Sequence, residues 1–154
     1  MKPKQQELSL CDDLFRLRLE QLLDQRHVLY RLAGKIDWNA VEARFGGLYA
    51  EEGRPGVPIR LMVGLHYLKH AFDESDETVV ARWVENPYWQ YFCGEEYFRH
   101  ELPIDPSQMT RFRPRIGEAG CEFMLGLTVR TGLATGTVRG ASLSVVNVDT
   151  TVQD

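Results

Sequence analysis

The 154 residues carry 18 Lys and Arg against 22 Asp and Glu, a net charge of −4, with 44% hydrophobic and 26% charged residues. This is the balance of a globular domain with one core, and it excludes a polycation that holds nucleic acid by bulk charge; any DNA contact needs basic side chains gathered on one surface. No apolar run approaches the roughly 20 residues that span a bilayer, and the start, MKPKQQELSLCDDL, has no apolar stretch behind its lysines.

The expectation is therefore a cytoplasmic protein with no membrane partner. Cys11, Cys93 and Cys121 are odd in number and far apart, without a CxxC pair. That pattern predicts reduced, mostly buried thiols rather than disulfides or a zinc site.

In chain order, Leu8, Cys11, Phe15, Leu19, Leu22 and Leu29 recur at steps of three, four and seven, predicting one helix across the first 34 residues that stops at Gly34. Asp37 caps a short helix carrying Trp38, Val41, Phe45 and Leu48. EEGRPGVP, residues 51–58, is a break. Pro58 then starts a helix to about residue 72 that is apolar nearly all round, as expected of an element buried in a bundle. Ser75 before Asp76 and Glu77 marks the next helix, and Asn86–Pro87 starts a short aromatic one, Tyr88 to Phe92, expected in the core. Asp105, Pro106 and Gln108 form a capping box for the following helix. Pro114 interrupts it, and a last helix runs from about 115 to 133.

Residues 131–142, TGLATGTVRGAS, read as linker, and LSVVNVDTTV, residues 143–152, as a strand. A lone strand has no partner for its backbone groups, which suggests a chain cut inside a second domain.

Between residues 107 and 139 five arginines (111, 113, 115, 130 and 139) stand against Glu118 and Glu122, a local balance of +3 that leaves −7 for the rest. An acidic protein needs such segregation to meet phosphate. Ser107, Gln108, Thr110, Arg111, Arg113 and Arg115 are the candidate DNA contacts, on a capped helix following another helix as in a helix-turn-helix arrangement. The alternative for Arg113 is an internal pair with the acidic cluster Asp73, Glu74, Asp76 and Glu77. His66 and His70, four apart, have ligand spacing but no third partner, and are expected to be half-buried core residues.

The stretches RPGVPIRLMVGLHYLKHAFDESDETVVARWVENPYWQYFCG (Arg54–Gly94) and DPSQMTRFRPRIG (Asp105–Gly117) resemble the amino-terminal domain of InsH-type transposases, in the insertion-sequence "five" family of DDE transposases. The carrying features are the proline-led apolar helix, Trp89–Phe92–Gly94, and Ser107–Phe112–Arg113. The resemblance extends to VDTTVQ (Val148–Gln153) and implies that Asp149 is the first acid of a DDE triad on a ribonuclease-H-like sheet.

Such enzymes cut and join DNA with two metal ions held by carboxylates. The resemblance thus implies Mg²⁺ for a complete enzyme and no cofactor or catalysis for this chain alone. The organisation it implies is mainly α: a helical DNA-end-binding domain over residues 1–133, a linker over 134–142, and the start of a truncated catalytic domain over 143–154. The implied function is recognition of the terminal inverted repeats, on double-stranded DNA of the nucleoid. The alternative is a dimerisation module or an inactive remnant that interferes with full-length transposase.

Overall fold

A computed structural model describes residues 16–49 and 56–141. They form α1 (Leu19–Leu22), α2 (Val28–Ala33), α3 (Trp38–Phe45) with a 3-10 turn at Gly46–Leu48, α4 (Ile59–Ala71), α5 (Asp76–Glu85), α6 (Pro87–Phe92) and α7 (Pro106–Ala134). No strand occurs among the described residues. The expected strand at 143–152 and Asp149 lie outside them, as does Cys11.

α4 is the axle of the bundle. Ile59, Leu61, Met62, Val63, Gly64, Leu65, His66 and Leu68 are all buried, as its all-round apolar sequence predicts. α3, α5 and α7 pack against it, while α1 and α2 lie on α6. At Gly64 the end of α6 comes so close that a Cβ would stand 2.8 Å from the Cys93 Sγ. Trp83, Trp89 and Phe92 are buried, Trp89 beside Phe72 and Phe92 edge-on to Trp38. Tyr88 and Tyr91 are only half-buried, stacked on His27 at 3.8 Å and on Tyr30 at 4.6 Å between ring centroids. Arg60 donates to the carbonyls of Phe92 and Tyr91, closing the α6 C-terminus with a cation.

The local start signals act as their chemistry predicts. Asp37 accepts from the Ala40 N–H at 3.0 Å. Ser75 Oγ accepts from the Thr78 N–H at 3.1 Å. Asn86 ends α5 and caps α6 by accepting from the N–H groups of Tyr88 and Trp89.

Four expectations need correction. The single helix expected through residue 34 is, over its described part, two short helices. Leu23 turns extended, Asp24 accepts from the Arg26 N–H at 2.9 Å, and the His27 Nδ1 caps α2 by accepting from Leu29. The break rotates the apolar phase, so Leu23 is buried and Leu22 exposed. The interruption expected at Pro114 comes at Gly117, whose φ of 64° only glycine takes up without strain. Pro114 itself stays inside the first segment of α7. The residues read as linker from 131 are helical to Ala134, and the chain then folds back, the Val138 N–H donating to the Gly132 carbonyl. His70 and Cys121 are exposed, because each falls on the outer face of its helix, whereas His66 and Cys93 are buried.

Candidate nucleic-acid interface

The first segment of α7 sorts its polar residues by helical phase. Asp105 accepts from the Ser107 N–H at 2.8 Å, and Gln108 Oε1 accepts from the Asp105 N–H at 3.1 Å. Hydrogen bonds from Ser107 hold the Asp105 carboxyl below its ordinary range, and the two capping bonds together fix the N-terminus, where the helix dipole favours an anion. Met109 and Phe112 are buried and point into the bundle. The remaining polar positions divide between two sides.

Thr110 and Arg113, three apart, meet Asp76 at the start of α5. Arg113 donates through both Nη atoms to the two carboxylate oxygens, at 2.9 and 2.8 Å. Thr110 Oγ1 donates to the same group at 3.0 Å and Lys69 Nζ at 2.6 Å. Asp76 is buried, so it would be costly as an unpaired charge. The Arg113 fork above all, with Lys69 and Thr110, overrides burial and holds its carboxyl far below the usual range. This cluster joins α4, α5 and α7.

Ser107, Gln108, Arg111 and Arg115, spaced at four-residue steps apart from Gln108, line the other side. They face a groove of about 1130 Å³ between Pro58 at the head of α4, the 99–105 loop and α7. Arg99 joins Arg111 and Arg115 in its wall, and Asp105 is the one carboxylate among the described lining residues. Arg115 donates to the Leu48 carbonyl at 2.7 Å and lies over the Tyr49 ring at 5.5 Å. Arg111 is exposed and takes part in no ion pair among the described residues.

Arg99 and its anchor Gln90 were not singled out by the sequence. Gln90 is fully buried; its amide accepts from the Arg99 N–H and donates to the Arg99 carbonyl, both at 2.8 Å. The available signal was a lone amide inside the aromatic run YWQYF. This clamp fixes the loop that carries the third arginine, whose side chain also pairs with Glu95 at 3.2 Å.

A family model described as "Transposase domain (DUF772)" matches residues 17–115, which include α1 through the first third of α7 and every described lining residue of this groove. The chain belongs to this transposase-domain family. It is also 58% identical over 142 residues to "Uncharacterized protein ORF8 in nfe locus" of Rhizobium meliloti, covering 92% of this chain and 69% of that one. No solved structure matches. Among the described residues of this transposase domain no three His, Cys, Asp or Glu side chains form a group that could hold a metal ion. No helix among them is long and apolar enough to cross a membrane.

Proposed function

We propose that this transposase domain binds double-stranded DNA at the terminal inverted repeats of an insertion sequence, through the arginine-lined groove at the start of α7. The observation that carries this reading is that Arg99, Arg111 and Arg115 converge on one groove with a single acid among its described lining residues, in a chain that is acidic overall. Arginine forks in such a setting take phosphate oxygens. The capped N-terminus adds oriented dipoles, and Ser107 and Gln108 stand beside it for hydrogen bonds.

Thr110 and Arg113 hold the helix in place through Asp76 rather than touching DNA. The capped first segment of α7 then takes the part of a recognition helix in a helix-turn-helix-like pair with the preceding helices.

The remaining part of the reading rests on resemblance. Asp149 takes the place of the first acid of a DDE site, and Mg²⁺ belongs to the complete site with its further carboxylates. The described residues supply no group of three metal-ligating side chains for a cleavage step.

A direct test titrates the protein with a duplex carrying the terminal repeat that flanks its gene, against a scrambled duplex, at several salt concentrations. Preferential binding, with a slope of log K against log salt that falls by about 0.9 for Arg111→Ala, supports the reading. Equal affinity for the two duplexes sinks end recognition.

A second reading is favoured by Leu17, Leu22 and Val28, which are exposed around α1 and α2. It is contact with another copy of this chain or with full-length transposase. Light scattering of the purified chain tests it, a monomer at all concentrations ruling out self-association.

A further inference from the structure

Beyond the groove, a second set of cations lies along α7. Arg44 on α3 and Arg130 on the second segment of α7 both place their guanidinium over the Phe123 ring, at 6.0 and 5.9 Å from its centroid. Both are exposed, and neither belongs to any ion pair among the described residues. Glu118 and Glu122 stand on the same helix, yet neither reaches ion-pair distance of them. Phe123 is held edge-on against Phe45, centroids 5.6 Å apart and planes at 89°, so the platform is fixed by the core. Arg115 is carried in the same manner on Tyr49.

Two like charges therefore gather on one ring with no carboxylate at ion-pair distance among the described residues. Stacking limits the freedom of each guanidinium while leaving its hydrogen-bonding edge available to a partner. Six other described cations are paired, Arg18 with Glu96, Arg26 with Asp24, Arg82 with Glu74, Arg99 with Glu95, and Arg113 and Lys69 with Asp76, whereas Arg16, Arg31, Lys35, Arg60 and Arg139 are in no ion pair among the described residues but do not share a ring. Arginines without an ion pair among the described residues thus run from the groove at Arg111, past Arg115, to Arg44 and Arg130.

We infer that the DNA track continues from the groove along the seam of α3 and α7, with Arg44 and Arg130 as further phosphate contacts. This rests on the DNA-binding reading above. From position 111 to 130 a helix rises at most about 28 Å. At 3.4 Å per base pair that is the length of roughly eight base pairs of duplex, less what the bend at Gly117 removes. A track of that length takes a regular polyanion, and B-form DNA is the partner whose phosphates recur along it.

The test measures binding of a 30-base-pair duplex from the flanking terminal repeat over a range of salt, for wild type, Arg44→Ala, Arg130→Ala, Arg44→Lys and Arg111→Ala, each checked for native helicity. Arg44→Ala and Arg130→Ala each lower the salt slope by about 0.9 and weaken binding roughly eightfold at 0.1 M salt. Arg44→Lys keeps the slope. If Arg111→Ala lowers the slope while Arg44→Ala and Arg130→Ala leave it at the wild-type value, the track ends at the groove and the inference fails alone. If the wild-type protein does not bind the duplex, the DNA-binding reading falls and the inference with it.

Discussion

Replacing Asp76 by Asn tests the cluster that holds the candidate interface in place. The substitution keeps the shape and leaves Arg113 and Lys69 facing an amide. Breaking a buried ion pair costs about 3–5 kcal/mol. Here the Asp76 side chain is 9% exposed but that of Arg113 is 39% exposed and that of Lys69 23%, so water recovers part of the loss. About 2–3 kcal/mol is expected. For a chain of 154 residues that lowers Tm by roughly 4–12 °C.

The pH dependence follows from the depressed carboxyl. A group whose folded pKa lies below its unfolded value stabilises above the unfolded value, 3.8 for Asp, and its contribution is lost as pH falls from there toward the folded value. The difference between wild type and Asp76→Asn is thus constant from pH 7 to 5 and shrinks below about pH 4. Calorimetry or thermal circular dichroism across that range reads it. A cycle with Arg113→Met gives a coupling of about 1–3 kcal/mol. A Tm drop under 2 °C, or additive single effects, would refute the assignment of Asp76 as the charge that binds α7 to the bundle.

Three further outcomes are expected. Gly64→Ala gains up to about 1 kcal/mol of helix propensity but drives a methyl to 2.8 Å from the buried Cys93 Sγ, so urea unfolding reports a net loss of about 1–2 kcal/mol; a stabilised variant would mean that α4 and α6 part easily. Gln90→Leu strips the partner from both backbone groups of Arg99, and costs about 2–3 kcal/mol with faster hydrogen exchange at the Arg99 amide; unchanged exchange there would show the loop is held by other means. His66 sits beside Phe112, its Nδ1 bonded to the Met62 carbonyl and its Nε2 without a partner among the described residues, and burial holds its pKa below 6.5. The neutral ring stabilises above pH 6.5, and that contribution is lost as pH falls below it toward the folded value. A His66→Leu variant shows a flatter stability profile between pH 6.5 and 5, and an identical slope would remove His66 as the cause.

What the sequence determined was short-range. Asp37, Ser75, Asn86 and Asp105 start helices because each capping oxygen reaches an N–H two or three residues away, a distance that needs no tertiary fold. The burial of most of α4 was equally legible, since a helix apolar on nearly every side leaves little face for water. The basic bias of residues 107–139 was visible as composition, but not which arginines remain available.

That was decided by the tertiary structure. Asp76 lies 37 positions from Arg113, and only the packing of α5 on α7 turns Arg113 and Thr110 inward while their neighbours Arg111 and Arg115 line the groove. Residue type and spacing offered all four positions as DNA contacts, with an internal pair to the acidic cluster at 73–77 as the alternative for Arg113 alone. The same holds for Arg99, brought to the groove by a buried amide nine residues earlier, and for Arg44 and Arg130, gathered on one ring from two helices. Local chemistry acts within about a turn of the chain, whereas the pairing that neutralises one arginine and spares another acts through space and exists only once the helices have packed.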